Sequence, residues 1–146
     1  MSDYTLTAQS ALGGIKLDFE ELEIAELVSR AIVSIAVPHG GEKALSEVIT
    51  SSFKTEMPAI GKSTTSAIAN SRFLGLQGDQ LFLLFDYNGP GAVKKVLKKV
   101  QETAYLTDQS DSWVMITVSG PKARNVIQRT CPIDMHPSIF QNGAVA

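Results

Sequence analysis

The chain has 146 residues, 44% apolar and 19% charged, with 13 Lys+Arg against 15 Asp+Glu for a formal charge of −2. This composition excludes a disordered, collagen-like or mucin-like chain, and the length is enough for one domain that folds without disulfide or metal staples. The near-neutral balance also argues against a nucleic-acid binder, which carries a clear basic excess.

Residues 1–14 are small and polar and end in Gly13-Gly14, which reads as a loose arm. The arm carries no basic residue and no apolar run of seven, so it is not a secretory signal. Residues 15–27 mix Leu17, Phe19, Leu22, Ile24 and Leu27 with five acids, and predict one short edge strand. Together, residues 1–28 form an arm and edge strand, and residues 29–146 form the α+β domain proper.

Residues 29–37 predict a strand, with Val33, Ile35 and Val37 on one face and Pro38 stopping the ladder. Residues 42–53 predict a helix, with Leu45, Val48, Ile49 and Phe53 at one-face spacing. Residues 67–76 and 80–86 predict a hairpin around Gln77-Gly78-Asp79, with Gly78 supplying a positive φ. The run Leu81-Phe82-Leu83-Leu84-Phe85 is apolar on both faces, as a covered central strand would be. After Asn88-Gly89-Pro90-Gly91, the residues Val93, Val96, Leu97, Val100 and Ala104 mark a strongly amphipathic helix. Residues 113–118 predict the next strand, and Ser119-Gly120-Pro121 opens a further helix, with Pro121 near its first position. The order strand, helix, strand, strand, helix, strand is the split βαβ of a ferredoxin-like sheet with helices on one face. The longest apolar runs, residues 31–37 and 81–85, fall far short of the ~20 residues that cross a bilayer. The expected compartment is the cytoplasm, with no membrane partner.

Few residues carry a chemical signal. Asn88-Gly89-Pro90-Gly91 matches neither phosphate-loop spacing and reads as a turn. Lys94, Lys95, Lys98 and Lys99 read as the wet side of a helix or as a face for an acidic partner protein. The single cysteine, Cys131, excludes an internal disulfide and a multi-cysteine zinc site. Cys131, Asp134 and His136 lie close in sequence, but Pro132 and Pro137 stiffen the span, so a structural loop is favoured over a Cys–His nucleophile pair. Asp108, Ser110 and Asp111 precede the 113–118 strand. They read as a turn whose side chains bond nearby backbone N–H groups, or as a carboxylate pair for acid–base work.

Three blocks carry a family resemblance. They are Leu106-Thr107-Asp108-Gln109-Ser110-Asp111-Ser112-Trp113, Ser119-Gly120-Pro121-Lys122-Ala123-Arg124, and Cys131-Pro132-Ile133-Asp134-Met135-His136-Pro137-Ser138-Ile139-Phe140. Together they resemble the gamma subunit of heterotetrameric sarcosine oxidase, with looser agreement at residues 57–62 and Phe73-Leu74-Gly75-Leu76. The resemblance spans roughly residues 57–146, and its most specific part is the last block. It implies a fold like the folate-binding domain of glycine-cleavage aminomethyltransferases. It implies a non-catalytic subunit of a complex that oxidatively demethylates sarcosine to glycine, linked to tetrahydrofolate. FAD, FMN, NAD, zinc and tetrahydrofolate are then implied for the partners, namely larger flavin- and dinucleotide-binding subunits and a small zinc subunit, and no cofactor for this chain. Asp108, Ser110, Asp111, Gly120, Pro121, Cys131, Pro132, Asp134, Pro137 and Phe140 become a shape-holding or partner-contact motif. Members of the family continue past the segment matching residues 143–146, which implies an apolar surface left for a partner. Two alternatives stand beside this reading. One is a stand-alone folate-binding or aminomethyltransferase-like protein, with Asp108, Asp111 and Trp113 as the ligand residues. The other is a homodimeric ferredoxin-like binding module.

Overall fold

The computed structural model describes Thr7 and residues 9–146, so part of the expected arm lies outside the described residues. The described residues form β1 (Lys16–Phe19), β2 (Leu22–Glu26), β3 (Arg30–Ala36), α1 (Glu42–Phe53), β4 (Ser63–Ser66), a 3-10 turn (Ile68–Asn70), β5 (Ser71–Gln77), β6 (Gln80–Asp86), α2 (Ala92–Val100), β7 (Tyr105–Asp108), β8 (Ile116–Ser119) and α3 (Ala123–Thr130).

The larger sheet has the order β4-β5-β6-β3-β7, all antiparallel. Leaving aside the edge strand β4, its path β3-α1-β5-β6-α2-β7 is the ferredoxin-like one that the order of elements predicts. Alternate residues decide which side is core. Ala31, Val33 and Ile35 of β3 and Leu81, Leu83 and Phe85 of β6 are buried against Leu45, Ile49 and Phe53 of α1 and Ala92, Val96 and Val100 of α2. Phe53 and Phe73 close this layer edge to face, with ring centroids 5.0 Å apart.

The fourth ferredoxin-like strand is not the one expected. Residues 113–118 were the sequence candidate, but β7 takes the place beside β3, pairing Val33 with Asp108 and Ile35 with Leu106. The cause is the early end of α2 at Val100, followed by Gln101 at φ 54°. Only residues 101–104 then separate helix and strand, so the chain returns to the sheet at once, and the expected helical position Ala104 is a buried loop residue instead.

The 15–27 stretch also differs from the single strand expected. It is a hairpin, β1 and β2, turning at Glu20 and Glu21, with Phe19 opposite Leu22 and Glu21 at φ 64°. With β8 it makes a separate three-stranded sheet, β1-β2-β8. The hairpin between β5 and β6 forms where expected, but Gly78 does not take a positive φ there.

Two glycines sit where no side chain fits. A Cβ on Gly75 would lie 2.2 Å from the Ala59 carbonyl oxygen, because the 59–62 loop runs against β5 with Gly61 N–H donating to Gly75 O (2.9 Å) and Gly75 N–H to Lys62 O (2.9 Å). A Cβ on Gly120, at φ 105°, would lie 2.4 Å from the Glu21 carbonyl oxygen. After α3 the chain returns to the larger sheet. Ser63 N–H donates to Gly143 O (2.7 Å), Val145 N–H donates to Gly61 O (2.9 Å), and Lys62 bridges antiparallel to Ala144.

Candidate functional site

The Asp108–Trp113 segment starts as the end of β7 and folds back on itself. The Asp108 carboxylate accepts the Ser110 amide (3.1 Å) and the Ser110 hydroxyl (2.7 Å). The same hydroxyl accepts the Ile32 amide (3.2 Å), and Gln109 N–H donates to Ile32 O (2.9 Å). This is an Asx turn locked onto β3, so the Asp108 carboxylate is occupied with backbone shaping. Trp113 then turns over the sheet face away from the helices and meets Phe82 edge to face at 5.7 Å, with 57% of its surface exposed.

Ser110, Asp111 and Trp113 come together with Tyr87 and Glu26 in a cleft of about 670 Å³. Asp108 does not line it. The cleft is open and mixed in charge. Its Glu26 carboxylate is engaged from the other side, accepting Leu12 N–H (3.1 Å) and Gly14 N–H (2.6 Å). Desolvation pushes the Glu26 carboxyl up, but the Gly14 and Leu12 amides and the Ser10 hydroxyl outweigh it and hold the group below the ordinary glutamate range. Sequence reading missed Glu26, which looked like one acid among five.

Gly120 and Pro121 do not face the cleft. They form the turn that carries β8 into α3 across the β1–β2 hairpin tip, where Lys122 N–H donates to Glu21 O (3.2 Å) and Lys122 Nζ pairs with Glu21 Oε2 (2.9 Å). The Cys131–Phe140 block is held by a residue that the sequence did not single out for a role. The Arg124 guanidinium donates through Nη1 to the carbonyls of Met135 (2.6 Å) and Phe140 (3.2 Å), fixing the loop to α3. Asp134 caps the loop by accepting His136 N–H (2.8 Å), and His136 Nδ1 lies 2.7 Å from Ser138 Oγ. Cys131 is an exposed free thiol, and Pro132 and Pro137 are exposed beside it. Among the described residues, no three His, Cys, Asp or Glu side chains gather in a metal-binding group, and no helix is long and apolar enough to cross a membrane.

The two faces of the small sheet differ in chemistry. Residues opposite one another in antiparallel strands share a face. One face carries Lys16, Asp18, Glu23 and Thr117, with Lys16 Nζ 2.8 Å from Glu23 Oε2. Hydrogen bonding and charge from this contact lower the Glu23 carboxyl and raise the Lys16 ammonium. The other face carries Leu17, Phe19, Leu22, Ile24, Ile116 and Val118, with Glu26 at its border opposite Ile116. It is incompletely covered, with Leu17 40%, Phe19 57% and Ile116 51% exposed.

No protein-family model matches the sequence, and no curated protein matches it. Among solved structures, the fold is similar to a chain of the heterotetrameric sarcosine oxidase from Corynebacterium sp. U-96, solved in complex with pyrrole 2-carboxylate. The TM-score is 0.66 and the identity 23%, over 86% of this chain and 64% of that chain. This chain therefore matches under two thirds of that chain's length. That neighbour belongs to the same complex that the residue blocks between Leu106 and Phe140 resemble, and at this identity the likeness establishes a shared α+β fold.

Proposed function

We infer that the chain is a non-catalytic subunit of a heterotetrameric sarcosine-oxidase-type complex, in the place of its gamma subunit. The observation that carries a docking role is the exposed apolar face of the β1-β2-β8 sheet, Leu17, Phe19 and Ile116. A monomer leaves such a strip to water only at a cost in free energy, and a partner surface removes it. The fold likeness to a chain of heterotetrameric sarcosine oxidase supports the choice of complex, as do the Gly120-Pro121 turn and the Cys131–Phe140 block. Asp108, Ser110, Gly120, Pro121 and Asp134 then act by shaping the backbone. In this reading the larger flavin- and dinucleotide-binding subunits hold FAD, FMN and NAD and act on sarcosine and tetrahydrofolate. A small subunit holds the zinc, and the complex resides in the cytoplasm. Co-expression of tagged chain with those three subunits tests it. Stable co-purification, lost in Phe19→Asp, is expected; absence of both co-purification and any change in the partners' thermal stability sinks the reading.

A second reading rests on the cleft that brings Asp111, Trp113 and Tyr87 together. It would take a flat heteroaromatic ligand such as a folate, with Asp111 toward the ring nitrogens and Trp113 as a wall. Trp113 is the only tryptophan, so its fluorescence reports occupancy directly. No quenching by millimolar tetrahydrofolate removes this reading.

A further inference from the structure

We propose that a second pocket, on the helical side of the larger sheet, binds a small apolar monocarboxylate. The pocket measures about 370 Å³ and lies between α2, the end of α1 and the Ile68–Asn70 turn. That volume is at the lower end of the roughly 300–1,000 Å³ of small-molecule sites. Its floor is Phe53, Leu83, Phe85 and Val96, all core residues. Such a floor takes a hydrocarbon or aryl body and gives nothing to a polar one.

The mouth is cationic. Lys95, Lys98 and Lys99, three of the four lysines of α2, line it. Two of them are placed by aromatic rings. Lys95 Nζ lies 4.7 Å from the Tyr87 ring centroid, and Lys99 Nζ lies 5.0 Å from that of Phe53. Lys99 donates one hydrogen bond, to Ser52 O at 3.3 Å, which leaves two ammonium protons for an anion. The only acid at the mouth is Asp86, and its Oδ1 is already matched by Arg30 Nε and Asn70 Nδ2, each at 3.4 Å. An anionic head on an apolar tail therefore meets complementary surface at both ends.

The wall opposite α2 is held in an unusual shape. Ala69 and Asn70 both take left-handed φ, 52° and 47°. The turn is tied down by Ser66 Oγ accepting Ile68 N–H (3.1 Å), by Ser71 Oγ donating to Ile68 O, and by Arg30 Nη2 donating to Asn70 O (2.5 Å). Two consecutive non-glycine residues in this region persist only where surrounding contacts impose them. Those contacts keep the turn raised beside the floor, so the space is not filled by Ile68 collapsing inward.

The experiment is a titration of the whole chain with hexanoate, followed in 1H–15N spectra. Saturable shifts are expected at the amides of Ala69, Leu83 and Phe85, with a dissociation constant on the order of 1 mM for so small a ligand. Hexanamide, equal in shape but neutral, and inorganic phosphate, charged but without a tail, are each expected to bind at least about tenfold more weakly. Lys95→Gln/Lys99→Gln is expected to weaken hexanoate about tenfold, and Lys98→Gln, at an exposed side chain, about threefold. Absence of saturable shifts, shifts confined to the Trp113 cleft, equal binding of hexanamide or phosphate, or unchanged affinity in a variant that keeps the native spectrum overturns the proposal.

Discussion

Gly120 and Glu21 meet backbone to backbone, a Cβ on Gly120 falling 2.4 Å from the Glu21 carbonyl oxygen while Lys122 N–H donates to that same oxygen at 3.2 Å. The contact joins the tip of the β1–β2 hairpin to the turn that launches α3. Gly120→Ala adds the forbidden carbon and also forces a non-glycine residue to φ 105°. The expected loss is about 2–3 kcal/mol of stability. Urea unfolding checks it: a midpoint equal to that of the parent chain would mean that the two turns do not touch.

Arg124 predicts a local effect. Arg124→Met keeps much of the apolar stem but leaves the Met135 and Phe140 carbonyls without their charged donor. The 131–140 loop should open more readily by about 1–3 kcal/mol, while the ferredoxin-like core keeps its stability. Limited proteolysis should cut this loop sooner in the variant, and hydrogen exchange at Val33 and Leu83 should be unchanged.

Asp108 and Ser110 act as one unit, because a single hydroxyl links the carboxylate to the Ile32 amide. Ser110→Ala and Asp108→Ala should each cost about 1 kcal/mol, and the double variant clearly less than their sum. Strict additivity in a thermal-unfolding cycle would contradict the shared network.

Glu26 gives a pH prediction with a definite sign. Its folded pKa is depressed, net of desolvation, by the amides of Gly14 and Leu12. The stability that it contributes is therefore full above the unfolded value of ~4.3 and is lost as pH falls through the lower, folded pKa. In NMR titration, the amide shifts of Leu12 and Gly14 should move together, with a midpoint below ~4.3. Glu26→Gln should abolish that step.

Legibility in the sequence followed the range of the interactions. Strand β3 and helix α1 announce themselves because each has its own apolar period, and strand β6 because its short apolar run is unbroken. The β1–β2 turn was invisible because Glu20-Glu21 contains none of the residues that mark a two-residue hairpin. The alternation in 113–118 is real only from Ile116 on, and its partner lies far back in the chain, Thr117 opposite Ala25. No local pattern can choose between that pairing and a place in the nearer sheet. The candidate site divides in the same way. Asp108 and Ser110 are readable as a turn because their bonds are two residues apart, whereas the Trp113–Phe82 contact and the grip of Arg124 on Phe140 exist only after folding.

The return of residues 143–145 to the Gly61–Ser63 segment makes the larger sheet lopsided. One border, at the start of β4, is met by the chain's own backbone at Ser63. The other, at β7, has no neighbouring strand among the described residues and carries Tyr105 at 72% exposure. A strand added to this sheet by another molecule therefore meets the chain's own backbone where β4 begins and open backbone along β7, which makes the β7 side the easier one to extend.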